Sequence, residues 1–196
     1  MNARSHRSAR YRLAFAAAVL SPAACNTDAS LGPEGVPAVA ALSSAASAGR
    51  SVDLGACGHL RPPAGSRLAF HTYARGVQVY RWSGQAWLFN GPVATLYANA
   101  GNTGVVGSHY GGPTWEANSG GLVVGAVSKR CEVAAADIPW LLLDVIRNDG
   151  PGVFHGVTHI QRVNTGGGQP PAGNGEFSGE VRNVPYTAQY FFYRAP

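Results

Sequence analysis

Beyond residue 51 the apolar positions fall in short runs rich in Val, Tyr, Phe, Trp and Thr, broken every few residues by Gly, Asn and Pro. The runs predict strands at 67–73, 77–82, 86–89, 93–98, 105–110, 122–128, 140–147, 154–163 and 186–193. Between them stand turn signals: Ser83-Gly84, Asn90-Gly91-Pro92, and the glycine-bearing stretches 118–121 and 148–152. Such short connections join antiparallel neighbours, because a parallel pair needs a long crossover. The one helical candidate is 132–137, which Pro139 stops within two turns. With no helices to cover a sheet, a sheet must pack on a sheet. The pattern therefore predicts an all-β, antiparallel domain over residues 52–196, either a β-sandwich or a closed β-barrel.

Two segments modify this picture. Residues 164–176 form a long Gly/Pro-rich stretch with no lysine and no following helix, so they read as a surface loop and not a phosphate cradle. The run 186–193 carries rings on both faces, with Tyr190 and Phe192 on one and Phe191 and Tyr193 on the other. A strand apolar on both faces is central in a packed structure or offers one face to a partner.

The first residues have another pattern. Arg4, Arg7, Arg10 and Arg12 precede a short apolar run, 13–20, and then Ser21-Pro22-Ala23-Ala24-Cys25. A basic flank, a brief apolar core and small residues make a bacterial secretory signal over 1–24, and that core is too short to span a bilayer. Small residues before Cys25 resemble a lipobox, in which Cys25 accepts the lipid, although Pro22 departs from the usual leucine. Residues 25–51, dominated by Ala, Ser, Gly and Pro, read as a flexible tether. These features predict an exported chain, anchored in the cell envelope as a lipoprotein or secreted, that meets the membrane only through its lipid.

Export changes the charge and cysteine bookkeeping. The whole chain holds 15 basic and 10 acidic residues, and removing the four leading arginines leaves 11 against 10. No basic footprint remains, which excludes nucleic acid as an expected partner. With Cys25 assigned to the lipid, Cys57 and Cys131 remain, and an even pair in an exported protein reads as one disulfide.

Candidate chemistry is sparse. His109, Glu116, His155 and His159 are the residue types of a three-nitrogen, one-oxygen transition-metal site, and the alternative function they suggest is a metal-dependent enzyme with a His/Glu site on the β-scaffold. His155 and His159 share a face if their run is one regular strand. The glycine-flanked His109 echoes a cupin motif, but Gly111 stands where that motif has its second histidine. The other candidate is a small-molecule or carbohydrate pocket walled by Tyr110 and Trp115, with His109 and Glu116 as its polar groups. The bland alternatives are hydrogen-bonded scaffold histidines and a tight turn at Gly111-Gly112-Pro113. No nucleophile elbow and no Ser/His/Asp spacing stands out, which favours a binding or structural module over an enzyme.

The runs RPPAGSRLAFHTYARGVQVYRW (61–82), VGSHYGGPTWEA (106–117), IPWLLL (138–143), VTHIQRVNTGGGQP (157–170) and VPYTAQYFFY (184–193) resemble the domain-of-unknown-function family numbered 3455. The resemblance spans nearly the whole domain, in order. It implies an exported, single-domain protein and carries over no catalytic or binding residue. Many members have cysteine where this chain has Trp82 and Asn174, so the resemblance lends nothing to a Cys57–Cys131 pairing.

Overall fold

The computed structural model describes residues 52–196, so the expected signal, the tether and Cys25 lie outside the described residues. After a short 3-10 helix, Gly55–Leu60, come eight strands: β1 (Arg67–Trp82), β2 (Trp87–Tyr97), β3 (Val105–Tyr110), β4 (Thr114–Ala117), β5 (Leu122–Cys131), β6 (Trp140–Asp149), β7 (Val157–Gly167) and β8 (Val181–Arg194). Every strand pairs antiparallel with its chain neighbour, and β8 returns to β1, closing the sheet into a barrel. Of the two expected all-β architectures, the chain adopts the barrel. Closure satisfies strand edges that a sandwich would leave unpaired.

The two-residue period sorts side chains into an inner and an outer set. Tyr186, Ala188, Tyr190 and Phe192 of β8 point into the barrel, beside Leu141 and Leu143 of β6, Ile160 of β7 and Trp115 of β4. Phe70 stacks on Phe192 there, with centroids 4.3 Å apart, and Phe154 lies tilted against both. The opposite face of β8 is also covered: Phe191 joins Leu54, Leu60, Leu142 and Val163 in a second cluster under the 3-10 helix. Cys57 and Cys131, 74 residues apart, form a disulfide that fastens this helix to the end of β5. Gln161 secures it further, its Nε2 donating to the Leu60 carbonyl at 2.7 Å while its Oε1 accepts from the Tyr193 hydroxyl at 2.8 Å.

Several local expectations are corrected. The runs 67–73 and 77–82 are one strand, because Gly76 is not a turn residue. A Cβ there would lie 2.2 Å from the Val93 carbonyl oxygen, so glycine permits the close approach of β1 to β2. Runs 86–89 and 93–98 likewise merge into β2. Asn90 is the extra residue of a β-bulge, since Val79 faces Gly91 while Tyr80 faces Phe89. Residues 114–117, to which the sequence pattern assigns no strand, are strand β4. The helical candidate 132–137 is not a helix. Asp137 instead bridges to Gly168, its carboxylate accepting from the Gly167 N–H at 2.6 Å and its carbonyl from Gln169 Nε2 at 2.6 Å. Those bonds to the end of β7 and the residues just after it replace the helical ladder that Pro139 would have cut short.

The long Gly/Pro stretch begins as the end of β7 and continues as a packed loop. The Trp87 indole donates to the Gly173 carbonyl at 3.1 Å, and a Cβ at Gly175 would lie 2.5 Å from the Trp82 ring. The loop thus lies against the β1–β2 hairpin.

Candidate functional site

The barrel wall is not equally tall all round. Hairpin β3–β4 is short and ends at the pair Tyr110–Thr114. Its ladder to β2 stops at Val93, and its ladder to β5 stops at Val124. Strand β2 nevertheless runs on to Trp87, paired with β1 alone, and β5 runs on to Cys131, paired with β6 alone. Above the hairpin turn the two taller strands therefore border a gap in the wall.

A cavity of about 390 Å³ opens through this gap. Phe89 and Pro92 of β2, Pro113 of the turn, and Val127 and Arg130 of β5 form its rim. His109, Trp115, Leu141, Leu143, Arg162 and Tyr190 form its floor. Phe89 and Val127 are large apolar side chains left 56 % and 53 % exposed, because no neighbouring strand covers them. An adjoining hollow of about 310 Å³ shares Phe89, Arg130 and Arg162 and adds Gln78, Tyr80 and Ile138. The larger volume lies in the range of about 300–1,000 Å³ usual for small-molecule sites.

The floor is electrostatically unusual. Arg162 stands two residues from Ile160 and shares its inward face. Its Nε and Nη2 both donate to the Pro139 carbonyl, at 3.1 and 2.9 Å. Among the described residues no carboxylate lies within ion-pair distance of it. Its positive field reaches Tyr80, His109, Tyr186 and Tyr190 and opposes protonation or favours ionisation at each.

His109 is buried and held neutral. Its Nδ1 donates to the Thr114 carbonyl at 2.7 Å, which leaves Nε2 as the acceptor. Burial pulls its pKa down to about 3 against the pull of that hydrogen bond, and Arg162 lowers it slightly further. The ring stacks on Trp115 at 4.3 Å and meets Tyr190 edge-on at 5.0 Å. A neutral imidazole with so low a pKa is a weak general base at ordinary pH.

Around it several polar atoms are buried without a well-aligned hydrogen bond: Trp115 Nε1, Gln78 Nε2 and the hydroxyls of Tyr186 and Tyr190. The two phenols lie near each other, and Tyr190 near Arg162, close enough to interact yet out of line. Burial raises the ionisation of both well above the ordinary tyrosine range, so they remain protonated. Tyr80, by contrast, donates to the Gly168 carbonyl at 2.7 Å.

The residues singled out from the sequence are dispersed. Trp115 and His109 line the cavity floor, but Tyr110 and Glu116 lie on the outer face, where the Tyr110 hydroxyl donates to Glu116 Oε2 at 2.8 Å. Positions 115 and 116 are adjacent on a strand, so one points in and the other out. The pocket set Tyr110, Trp115 and Glu116 is therefore divided by the barrel wall.

The metal quartet is not assembled either. His155 falls in the connection before β7, at the barrel end opposite His109, so the even spacing to His159 places them on no common strand face. His159 contacts Asp144 at 3.7 Å and Thr158 Oγ1 at 2.9 Å. Among the described residues no three His, Cys, Asp or Glu side chains come together as a metal site.

Arg162, Tyr190, Phe89 and Val127 are the cavity residues that the motifs did not single out. The available signal was Arg162 in phase with Ile160, a cation on the apolar face of a strand.

Fold and cavity together define an antiparallel eight-stranded barrel with a side entrance, a scaffold wide enough inside for packed side chains or one small ligand. Residues 63–194 match the family described as Protein of unknown function (DUF3455), and the chain belongs to it. No curated protein and no solved structure matches the chain.

Proposed function

We propose that the protein is an exported, lipid-anchored binding module of the cell envelope, whose barrel receives a small apolar molecule through the gap between β2 and β5. The basic flank, apolar run and Cys25 of the leader support the export and anchoring part of this reading. The observation that carries the binding part is the interrupted wall, with exposed Phe89 and Val127 on facing sides of an interior cavity. An apolar entrance above a walled interior receives a ligand without unfolding the barrel. Core packing alone would instead be served by a hairpin as tall as its neighbours.

The test is binding of N-phenyl-1-naphthylamine, a neutral dye that brightens in apolar surroundings, to the full processed protein. The wild type brightens the dye saturably. Val127→Trp, at an exposed position of the rim, narrows the entrance and weakens binding about tenfold while the melting temperature stays unchanged. Equal binding by a folded Val127→Trp protein would remove the cleft as the entry point.

A further inference from the structure

The floor of the cleft is short of negative charge, and this identifies its occupant. Arg162 is half-buried inside a barrel whose interior is otherwise dominated by Leu, Ile, Ala and aromatic rings. A guanidinium withdrawn from water is normally paired, because its desolvation is otherwise uncompensated. Here its partner is a neutral carbonyl, that of Pro139, and no described carboxylate stands within ion-pair distance.

The second arginine of the cavity, Arg130, does not meet the need, since it adds positive charge. Its own counter-charge, Glu132, is 3.9 Å away, and both are well exposed at the rim. Glu132 lines the adjoining hollow but belongs to that rim pair and not to the floor.

The neighbouring groups lack acceptors too. Trp115 Nε1 and Gln78 Nε2 are donors, and both are buried without partners. The Tyr190 hydroxyl is equally buried, unaligned with anything, and lies beside Arg162. Four groups from four strands, β1, β4, β7 and β8, thus offer N–H or O–H around one cavity system whose one lining carboxylate among the described residues, Glu132, is exposed at the rim beside Arg130. Around them, Leu141, Leu143, Val127 and Phe89 present apolar surface toward the entrance.

We infer that the cleft takes a carboxylate with an apolar body, its carboxylate at Arg162 and its body between the β2 and β5 rims. This rests on the cleft reading above and adds the charge of the ligand to it. The carboxylate supplies the missing counter-ion and the acceptors the buried donors lack, and a charge-assisted bond of this kind outweighs a neutral one by about twofold in strength.

The experiment is displacement of the neutral dye by three molecules of one chain length: decanoate, decanol and decylamine. Decanoate is expected to displace it at a concentration about tenfold below decanol. Decylamine is expected to be the weakest, because two arginines line the site. In Arg162→Gln the advantage of decanoate over decanol, both read as displacement of the dye from that same variant, falls to within about twofold. Arg162→Lys keeps a cation without the planar fork and retains part of that advantage.

Equal displacement by decanoate and decanol in the wild type overturns the anion subsite and leaves the cleft standing. A decanoate preference that survives in folded Arg162→Gln also overturns it. Where Arg162→Gln fails to fold, the wild-type order and Arg162→Lys decide. Failure of the dye to bind, with no heat from decanoate by calorimetry, removes the cleft and the subsite together.

Discussion

The two apolar clusters of this barrel are built on opposite terms. In the outer one, under the 3-10 helix, Gln161 has a partner for its donor and for its acceptor, and a disulfide crosses the cluster. In the inner one, beneath the cleft, a tryptophan N–H and two tyrosine hydroxyls are buried without aligned partners, and among the described residues no carboxylate lies within ion-pair distance of Arg162. Each such unmet group costs about 1–3 kcal/mol relative to one that is satisfied. The outer cluster thus has its polar groups paired within the protein, whereas the inner one holds several buried polar atoms without an aligned protein partner.

Substitutions sharpen that contrast. The largest effect belongs to Cys131→Ser, which opens a loop of 74 residues. Loop-entropy reasoning assigns this link about 4 kcal/mol, read as a lower midpoint in urea, while dye binding in the inner cavity is retained. A smaller effect separates a satisfied group from an unsatisfied one. Gln161→Leu strands the Leu60 carbonyl and the Tyr193 hydroxyl and costs about 2 kcal/mol. Tyr190→Phe removes a hydroxyl that has no aligned partner, so its midpoint stays within about 0.5 kcal/mol of wild type or rises. A Tyr190→Phe protein as damaged as Gln161→Leu would erase the distinction between the clusters.

A smaller effect again comes with acid. His109 has a folded pKa of about 3, below the ordinary histidine value, because burial disfavours its cation. Between about pH 6.5 and pH 3 the unfolded chain binds the proton and the folded one does not, so stability falls as pH falls through that window. From this residue alone, unfolding free energy drops by about 1.4 kcal/mol between pH 7.5 and pH 5.5. His109→Asn removes that part of the slope, and an unchanged slope would place the titration elsewhere.

Strand alternation reveals side-chain faces, and it served well wherever a strand was regular. The ring pairs Tyr190/Phe192 and Phe191/Tyr193 of β8 lie on opposite faces, one in each cluster. Closure was not readable, because it depends on pairs such as Ala74–Ala188, more than a hundred residues apart. Gly76 and Asn90-Gly91-Pro92 carry the composition of turns but serve as a close contact and a bulge, which only a neighbouring strand distinguishes. The site was harder still. His109 and Trp115 stood out by residue type, but the cleft exists because hairpin β3–β4 is shorter than its flanks, a relation among four strands that no single motif encodes.

The pairing of β1 with β8 also sets the order in which this molecule can be assembled. During synthesis β1 emerges long before its partner, and Tyr190 and Phe192, which fill the middle of the interior, arrive only with the last strand. Until then the seven earlier strands are an open sheet with two unguarded margins, either of which can recruit a strand from another molecule. A chain of this topology thus has a long interval of vulnerability that ends in a single event, the docking of β8.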